Sequence, residues 1–296
     1  MMSKMQNQGY TLTSICDYVG ISRQAYHKRK AKAQDKSAMY SQAEQVVLQH
    51  RQQKSRVGLR TIYHKAGLDS LLGINDYEKE MSTRGFALQP YRSFFKTTDS
   101  RGHYYKFNNL IEGMVLNSPN QVIVGDITYY QHSGQLYYIF QFQDYYTLEI
   151  KGLVGSRTLE GIYAERCLRQ VFAYNTKYKY RHNLILHTDA GSQYRSHKFQ
   201  SMLRNAEIQP SHAQSCFENG LSERTNGIIK NEYLVDYEIK SLNHLNSILK
   251  RIKRDHNQIW PSKRLGYKTP QAFAAEIQDC RISDRPLKTV KKVEYK

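Results

Sequence analysis

The sequence has few cysteines and prolines, and it contains no long apolar run. Its four cysteines stand far apart and form no CxxC pair, which argues against a disulfide framework and a cysteine zinc site. No stretch approaches the ~18 consecutive apolar residues of a membrane-spanning helix, and the N-terminus lacks the apolar segment of a signal peptide. Only six prolines and no low-complexity tract occur, so extended disorder is not indicated. We therefore expect a folded cytoplasmic protein without a membrane anchor.

Acidic residues are scarce at both ends of the chain. The net charge is +18 over 296 residues, from 44 Lys and Arg against 26 Asp and Glu. Residues 1–110 carry 18 basic and 8 acidic side chains, residues 241–296 carry 13 and 5, and residues 111–240 carry 13 of each. Basic flanks of this kind attract a polyanion, because each neutralised phosphate releases a counterion. We expect nucleic acid as the partner, with an inert basic surface or ribosome association as alternatives.

Residues 11–33 have the pattern of a helix–turn–helix. Thr13 or Ser14 is expected to cap a short helix, Gly20 to form the turn, and Ser22 to cap a second helix. The second helix would face a DNA groove, although the same pattern also occurs in helical pairs that bind nothing. The DNA contacts predicted on it are Arg23, Gln24 and Lys28.

The rest of the first 116 residues has a mainly helical pattern. Residues 40–66 predict helix with a break near Ser55–Gly58, and Ile74–Arg84 predicts another helix. The polar and aromatic stretch 85–118 predicts a linker with one apolar helical turn at Leu110–Val115. We therefore predict four regions, which are a helix–turn–helix region at 1–66, a helical segment and linker at 67–116, a core at 117–235 and a basic helical extension at 236–296.

The core region alternates between strand and helix patterns. Two strands flank a turn at His132–Gly134, which has hairpin composition. The predicted order βββαβαβα fits a mixed sheet covered by helices, an α/β fold. The predicted strands are Val122–Tyr130, Leu136–Phe142, Glu149–Val154, Leu184–His187 and Ile208–Gln209, and the predicted helices are Leu159–Tyr174, His197–Asn205 and the run that carries Glu223. Leu242–Ile259 and Leu265–Ile277 predict helices in the extension.

Three acidic residues stand on separate elements of this core and are candidates for one site. Asp126 lies in an apolar strand, where a carboxylate is costly unless it is paired or bound to a metal. Asp189 follows a short strand, at the kind of strand end where open sheets bind ligands. Glu223 lies near a helix start, where the helix dipole favours an anion. Three carboxylates among basic residues predict an enzyme that holds divalent cations against a phosphate backbone.

Other residues near these acids compete for roles or support them. Lys230 follows Glu223 by seven residues, so both would share one face of an α-helix, with Lys230 as a phosphate contact. Asp144 and Glu218 are alternative carboxylates, but Glu218 falls in a turn and cannot share that face. His187 would point to the same side as Asp189, either in support of it or as a packed core residue.

Several motifs together give the chain a resemblance to a known family. They are Asn120-Gln121-Val122 with Asp126-Ile127-Thr128-Tyr129, His187-Thr188-Asp189 with Gly191-Ser192-Gln193-Tyr194, Glu218-Asn219 with Glu223 and Lys230, and Leu265-Gly266-Tyr267 with Thr269-Pro270 and Phe273. In this order they resemble the bacterial insertion-sequence transposases of the DDE class, which have a retroviral-integrase-like core. The chain looks like the OrfB product of a two-frame element.

The resemblance implies an RNase H-like core and a catalytic, metal-binding triad of Asp126, Asp189 and Glu223. It implies two Mg²⁺ ions, with Mn²⁺ as a substitute, and DNA cleavage at element ends followed by attack of the freed 3′-hydroxyl on a new phosphodiester. The partners implied are the terminal inverted repeats, target DNA, further copies of the chain on paired ends, and an OrfA protein or fusion. The further DNA contacts expected are Lys230, Asn226, Gln193 and Tyr194.

The chain departs from the family pattern at three places. Ile123 stands where the family usually has Trp, and Trp260-Pro261 replaces a usual Arg-Pro. Only 33 residues separate Asp189 from Glu223, whereas ~35 are common in the family, so the reach of Glu223 is the main test of the triad. Two other functions stay open, namely a non-catalytic helix–turn–helix regulator and an RNase H-like nuclease that does not transfer strands.

Overall fold

A computed structural model of the chain describes residues 9–89, 107–177, 184–189, 191–213 and 216–291. The chain divides into two compact units, one made of Met1–Gln53 and Gly58–Leu88, the other of Lys54–Val57 and Gln89–Lys296. This division differs from the four predicted regions. The helical residues after 66 group with the N-terminal helices, and the predicted C-terminal extension groups with the core. No helix among the described residues is both long and apolar enough to cross a membrane.

The first unit is helical, as predicted for the N-terminal region. The predicted turn is present, since Gly20 adopts the left-handed conformation with φ 70° and ψ 35°. The predicted cap at Ser22 is also present, because its Oγ accepts the Ala25 N–H at 3.1 Å. The cap predicted at Thr13 or Ser14 is wrong, because Thr11 Oγ1 accepts the Ser14 N–H at 3.2 Å. The helices are α1 (Leu12–Val19), α2 (Arg23–Gln53), α3 (Leu59–Ala66) and α4 (Ile74–Met81).

Helix α2 is longer than the sequence pattern indicates, and residues 27–35 are exposed on every side. This segment consists mainly of Lys, Arg, Ala and Gln, which are good helix formers, so it stays helical without an apolar face. The far end of α2 buries Ala43 and Val47 in a small core together with α3 and α4. The other buried members of that core include Ile62, Tyr63, Leu68, Leu72, Tyr77 and Met81.

The second unit is built on a five-stranded mixed sheet, which confirms the predicted fold class. Its strands are β2 (Val122–His132), β3 (Gln135–Asp144), β4 (Ile150–Ser156), β5 (Ile185–Thr188) and β6 (Gln209–His212), in the order β4-β3-β2-β5-β6. The predicted hairpin joins β2 to β3 through Ser133 and Gly134, both with positive φ, as a tight hairpin turn requires. Strand β5 runs parallel to β2, and β6 runs parallel to β5.

Helices cover both faces of the sheet. On one face, Ile123, Phe140 and Phe142 pack against helices with buried Leu168, Val171 and Phe199. On the other face, Val122 and Val124 share a core with Leu221. The helices on the first face are α5 (Gly161–Lys177), α6 (Ser192–Arg195) and α7 (His197–Asn205), and α8 (Gly220–Ile228) lies on the second. Helices α9 (Leu242–Gln258) and α10 (Pro270–Asp279) follow.

The predicted helical turn at Leu110–Val115 is wrong. The chain instead forms β1 (Val115–Leu116), which pairs antiparallel with β7 (Lys288–Thr289), and the Val290 N–H donates to the Met114 carbonyl at 2.8 Å. The pairing partner lies at the other end of the chain. A local pattern in residues 110–115 therefore contains no information about it.

Candidate active site

The two aspartates of the predicted triad lie on neighbouring parallel strands, Asp126 within β2 and Asp189 directly after β5. In the β2–β5 ladder, Val124 pairs with His187. Two residues further along each strand are Asp126 and Asp189, and paired strands are only ~4.8 Å apart. Because side chains alternate along a strand, Asp126 points to the face that also carries Val122 and Val124, which is the face under α8.

Asp126 has the most perturbed carboxyl group of the three acids. Burial is the main cause that raises its pKa to about 7, and the negative charge of Asp189 raises it further. Glu223 contributes in the same direction, whereas Lys230 lowers the pKa. Asp126 on β2 is thus under the electrostatic influence of Asp189 after β5, Glu223 on α8 and Lys230 in the turn that follows α8.

Asp189 is held by the turn that follows β5. Its Oδ1 accepts the Gly191 N–H at 3.1 Å, and burial raises the pKa of its carboxyl group. A side chain at position 191 would clash, because a Cβ there would lie 2.9 Å from that same Oδ1. Gly191 therefore lets the backbone close around the carboxylate.

Glu223 occupies the first turn of α8 and is exposed to solvent. Despite the shortened spacing after Asp189, the charge of Glu223 raises the pKa of Asp126. The pKa of Glu223 is itself raised, because the surrounding protein removes part of the water from its carboxylate. The competing Glu218 lies in the 3₁₀ turn Cys216–Asn219, where its Oε2 accepts Asn109 Nδ2 at 2.7 Å. These positions favour Glu223 over Glu218 as the third acid.

Lys230 lies near Asp126, but for a different reason from the predicted one. The expected continuous α-helical face from Glu223 to Lys230 is wrong, because α8 ends at Ile228 and widens into the π-helical turn Ile229–Tyr233. Burial lowers the pKa of Lys230, and the charge of Asp126 raises it. The π-helical turn thus brings a partly buried cation toward the first aspartate.

A buried lysine holds this π-helical turn in place. Lys54 is 5% exposed, and its Nζ lies 2.6 Å from Glu232 Oε2. The same ammonium lies 4.2 Å from the ring centroid of Tyr233 and 5.5 Å from that of Trp260. The adjacent Ser55 N–H donates to Asp236 Oδ2 at 2.9 Å. Segment Lys54–Val57 therefore anchors the chain that follows the helix carrying Glu223.

Two of the predicted DNA contacts have other roles in the structure. Asn226 is 5% exposed, and its Nδ2 donates to Asp126 Oδ2 at 2.8 Å, so it orients the carboxylate. Tyr194 is 1% exposed and packs edge-on against Phe199, so its ring supports the sheet. Burial raises the pKa of its hydroxyl, and the charges of Asp189 and Asp126 raise it further. For both residues the predicted DNA contact is corrected to a supporting role, because their side chains are buried.

The remaining predicted DNA contacts are accessible to solvent. Gln193 is half-buried beside Gly191, while Arg23, Gln24 and Lys28 are exposed on α2. The two competitors inside the sheet are structural residues. Asp144 is fully buried, and its Oδ2 lies 3.7 Å from Lys151 Nζ. The buried His187 has Nδ1 2.9 Å from Ser211 Oγ, and burial lowers its pKa to about 4, so it is neutral at pH 7.

The three acids fit a divalent cation by their chemistry. They offer only oxygen donors, which Mg²⁺ prefers, and a cation would offset the burial and the neighbouring negative charges that raise the pKa of Asp126. Among the described residues, no three His, Cys, Asp or Glu side chains lie close enough to enclose one ion. Mg²⁺ usually takes one or two protein carboxylates and completes its octahedron with water and phosphate oxygens. The arrangement therefore suits ions shared with a phosphate substrate rather than an all-protein cage.

Polar residues next to Asp126 were missed by the sequence analysis. Gln141 on β3 pairs directly with Asp126 across the ladder, and Thr225 Oγ1 donates to Gln143 Oε1 at 2.6 Å. Asn219 Nδ2 donates to the Gly125 carbonyl at 3.0 Å. The alternation of Gln141 and Gln143 with phenylalanines has the appearance of a half-exposed strand. Because α8 covers that face, the glutamines are buried instead.

Comparisons with known proteins agree with this fold. Residues 117–215 match a model of the integrase core domain, and residues 204–270 match a second model of the same description. The chain is similar to the transposase for insertion sequence element IS904 of Lactococcus lactis subsp. lactis strain IL1403, with 25% identity over 252 residues that cover 83% of this chain and 98% of that protein. It is also similar to the insertion element IS600 uncharacterized 31 kDa protein of Shigella sonnei, with 24% identity over 270 residues that cover 88% of this chain and 97% of that protein.

A solved structure of the HTLV-2 integrase catalytic core domain in complex with magnesium, in its trimeric form, is 22% identical with a TM-score of 0.42. The match covers 56% of this chain and 99% of that chain. The two domain matches span the sheet, the three acids and α9, so the predicted retroviral-integrase-like core is confirmed. The chain belongs to the integrase core domain family, and it is similar over most of its length to proteins of insertion elements.

Proposed function

We propose that this protein is a DNA transposase that cuts DNA at the ends of its insertion sequence and joins the freed 3′-hydroxyl to a target. The observation that carries this proposal is the β2–β5 register, which brings Asp126 and Asp189 next to each other, and the influence of Glu223 on the pKa of Asp126 supports it. The similarity to the IS904 transposase over most of this chain supports the same activity, and the second relative also comes from an insertion element.

The chain's own residues would have separate roles at this site. Asp126, Asp189 and Glu223 would hold two Mg²⁺ ions, which activate the attacking oxygen and stabilise the leaving oxygen when bound. Asn226 fixes the Asp126 carboxylate through its 2.8 Å hydrogen bond, so the ligand is oriented before DNA arrives. Lys230, partly buried beside Asp126, would contact the phosphate.

DNA recognition would come from the basic helical unit. Arg23, Gln24 and Lys28 are exposed on the first turns of α2, directly after the turn at Gly20. A helix in this position after a tight turn fits the major groove. Gln193 would contact DNA close to the acids. Assembly of several copies on paired element ends and cooperation with an OrfA protein are parts of the same proposal.

The test uses a duplex with the terminal sequence of the element that encodes this chain, incubated with purified protein and MgCl₂. Asp126→Asn, Asp189→Asn and Glu223→Gln should each abolish cleavage and leave duplex binding intact, because each removes one charged ligand. Glu218→Gln is the matched control and should retain cleavage, since Glu218 bonds to Asn109 instead. Undiminished cleavage by any of the three variants would remove that residue from the proposed site.

A second readout separates the alternative functions. A transposase yields joined products with a supplied target duplex, whereas a nuclease of the same fold yields only nicked or cut duplex. A regulator that acts through the helix–turn–helix alone binds the duplex, and Mg²⁺ does not change the DNA.

A further inference from the structure

A layer of buried polar side chains lies between the sheet and α8, directly beside Asp126. On the sheet side, Gln141 is the cross-strand partner of Asp126 and is 0% exposed. On the helix side, Ser222 and Asn226 are one helical turn apart and are both buried. Since Asn226 reaches Asp126, Ser222 faces the same layer one turn earlier.

Part of this layer is fully hydrogen-bonded and part of it is not. Gln143 accepts from Thr225 and donates its Nε2 to the Leu148 carbonyl at 2.8 Å. In contrast, neither atom of the Gln141 amide has a partner among the described residues, and the same is true of Ser222 Oγ and Asn226 Oδ1. Buried polar atoms without partners cost free energy, so a native fold supplies partners from protein or from ordered water.

The atoms without a hydrogen-bond partner include both donors and acceptors. Gln141 contributes two N–H donors and one carbonyl acceptor, Ser222 contributes a hydroxyl that both donates and accepts, and Asn226 contributes a carbonyl acceptor. A buried water molecule makes about three hydrogen bonds and can donate two and accept two. One water can therefore hydrogen-bond to all three side chains at once, if it donates to the Asn226 carbonyl and accepts from the Gln141 amide and the Ser222 hydroxyl.

We propose that an internal water lies between Gln141, Ser222 and Asn226 and fixes the orientation of the Asn226 amide toward Asp126. Gln141 is then a positioning residue that acts on Asp126 through water and Asn226. With its carbonyl held by the water, Asn226 keeps its NH₂ group on the carboxylate, which leaves the other Asp126 oxygen for a cation. The catalytic consequence rests on the proposed function, whereas the water itself does not.

The first test is structural and needs no activity. A high-resolution crystal structure of the full chain should show a water within about 3 Å of Gln141 and Ser222. Gln141→Leu should lack this water and should melt at the wild-type temperature or above it, because it removes an amide that has no protein partner. Gln143→Leu is the matched comparison and should melt lower, since it breaks two hydrogen bonds to protein. Direct bonding of Gln141 to protein atoms, without a water, would overturn the proposal.

The second test asks whether the water matters for the reaction. Gln141→Leu should lower the cleavage rate at saturating DNA and Mg²⁺ about tenfold, in the range of other groups that orient metal ligands, with duplex Kd unchanged. Unchanged cleavage by Gln141→Leu, while Asp126→Asn is inactive, would contradict the positioning role and leave the proposed function standing. Full activity of Asp126→Asn would instead contradict the proposed function.

Discussion

At the scale of single residues, the negative charges of the candidate site repel one another. Asp126 lies beside Asp189 and within the influence of Glu223, and burial weakens the screening between them. Lys230 compensates for only part of that negative charge, because burial also disfavours its own charged form. The folded protein without a cation therefore carries a carboxyl group that favours protonation, with a pKa of about 7. A divalent cation would take the place of that proton.

The replacement of Asp126 by Asn should therefore stabilise the fold while it removes a proposed ligand. In EDTA at pH 8, we expect Asp126→Asn to raise the free energy of unfolding by roughly 1–3 kcal/mol, because the buried charge is gone. Urea titration of the two proteins measures the difference. Added MgCl₂ should stabilise the wild type and not the variant, and a variant less stable than wild type in EDTA would contradict the account.

The same group predicts a pH dependence with a definite sign. Between pH 4 and pH 7 the unfolded chain has an ionised Asp126 and the folded chain a protonated one, so without cations stability falls as pH rises to about 7. His187 and His256, with pKa values lowered to about 4, act in the opposite sense below pH 6.5. The difference between wild type and Asp126→Asn, measured in EDTA from pH 5 to pH 8, isolates the aspartate. A difference that does not change with pH would be inconsistent with the raised pKa.

At the scale of elements, the π-helical turn after α8 is the least regular part of the site. It carries Lys230 toward Asp126, and on its other side Glu232 and Tyr233 surround Lys54. π-Helical turns are rare and occur often at functional sites. Lys54 and the turn are far apart in sequence but belong to the same unit, so a contact within the second unit supports this element of the candidate site.

Removal of the lysine charge should loosen this turn. Lys54→Met keeps most of the volume but loses the ion pair with Glu232 and the contact with the Tyr233 ring, so we expect a loss of about 1.5–3 kcal/mol in the free energy of unfolding. Thermal melts of the full chain provide the measurement. Lys240→Met is the control, because Lys240 is exposed and its ammonium has no such pair among the described residues. Equal melting temperatures for the two variants would argue against an anchoring role of Lys54.

The sequence correctly predicted the elements that are determined by residues close to each other in the chain. The hairpin at Ser133–Gly134, the turn at Gly20 and the helix His197–Asn205 all appear where the sequence indicates them. The missed features depend on distant partners or on packing. Strand β7 exists because of Val115, at the other end of the unit, and Gln141 is buried because α8 covers it. The three acids are predicted from motifs, whereas the contact between Asn226 and Asp126 becomes visible only in the fold.

At the scale of the whole molecule, the excess positive charge is not all available to DNA. In the C-terminal part, Arg285 donates to Ser118 Oγ at 2.8 Å and Lys288 to the Tyr146 carbonyl at 2.6 Å, so these residues tie the chain end to the core. In the N-terminal unit, by contrast, residues 27–35 of α2 are exposed on every side. The basic residues of this exposed part of α2 are therefore available to meet phosphates.

This distribution predicts which substitutions change the salt dependence of DNA binding. Lys28→Gln should weaken duplex binding and reduce the slope of log Kd against log salt by about 1, as expected for one lost phosphate contact. Fluorescence anisotropy measured between about 50 and 200 mM salt gives this slope. Lys79→Gln is the control, since Lys79 is exposed on α4 in the same unit. An equal reduction of the slope in Lys79→Gln would mean that DNA binding depends on the total charge of the unit and not on a specific contact of Lys28.

The parallel pairing of β2 with β5 also determines when the protein can become active during its synthesis. Asp126 and Asp189 become neighbours only after β3, β4 and α5 have been made, and such non-local pairings form slowly because a long loop must close first. Glu223 emerges from the ribosome later still, and β7 comes almost at the end. Under the proposed function, a nascent chain that has already made residues 11–33 would bind nearby DNA before it could cut it. Translation itself would separate the choice of a DNA site from the first cleavage event.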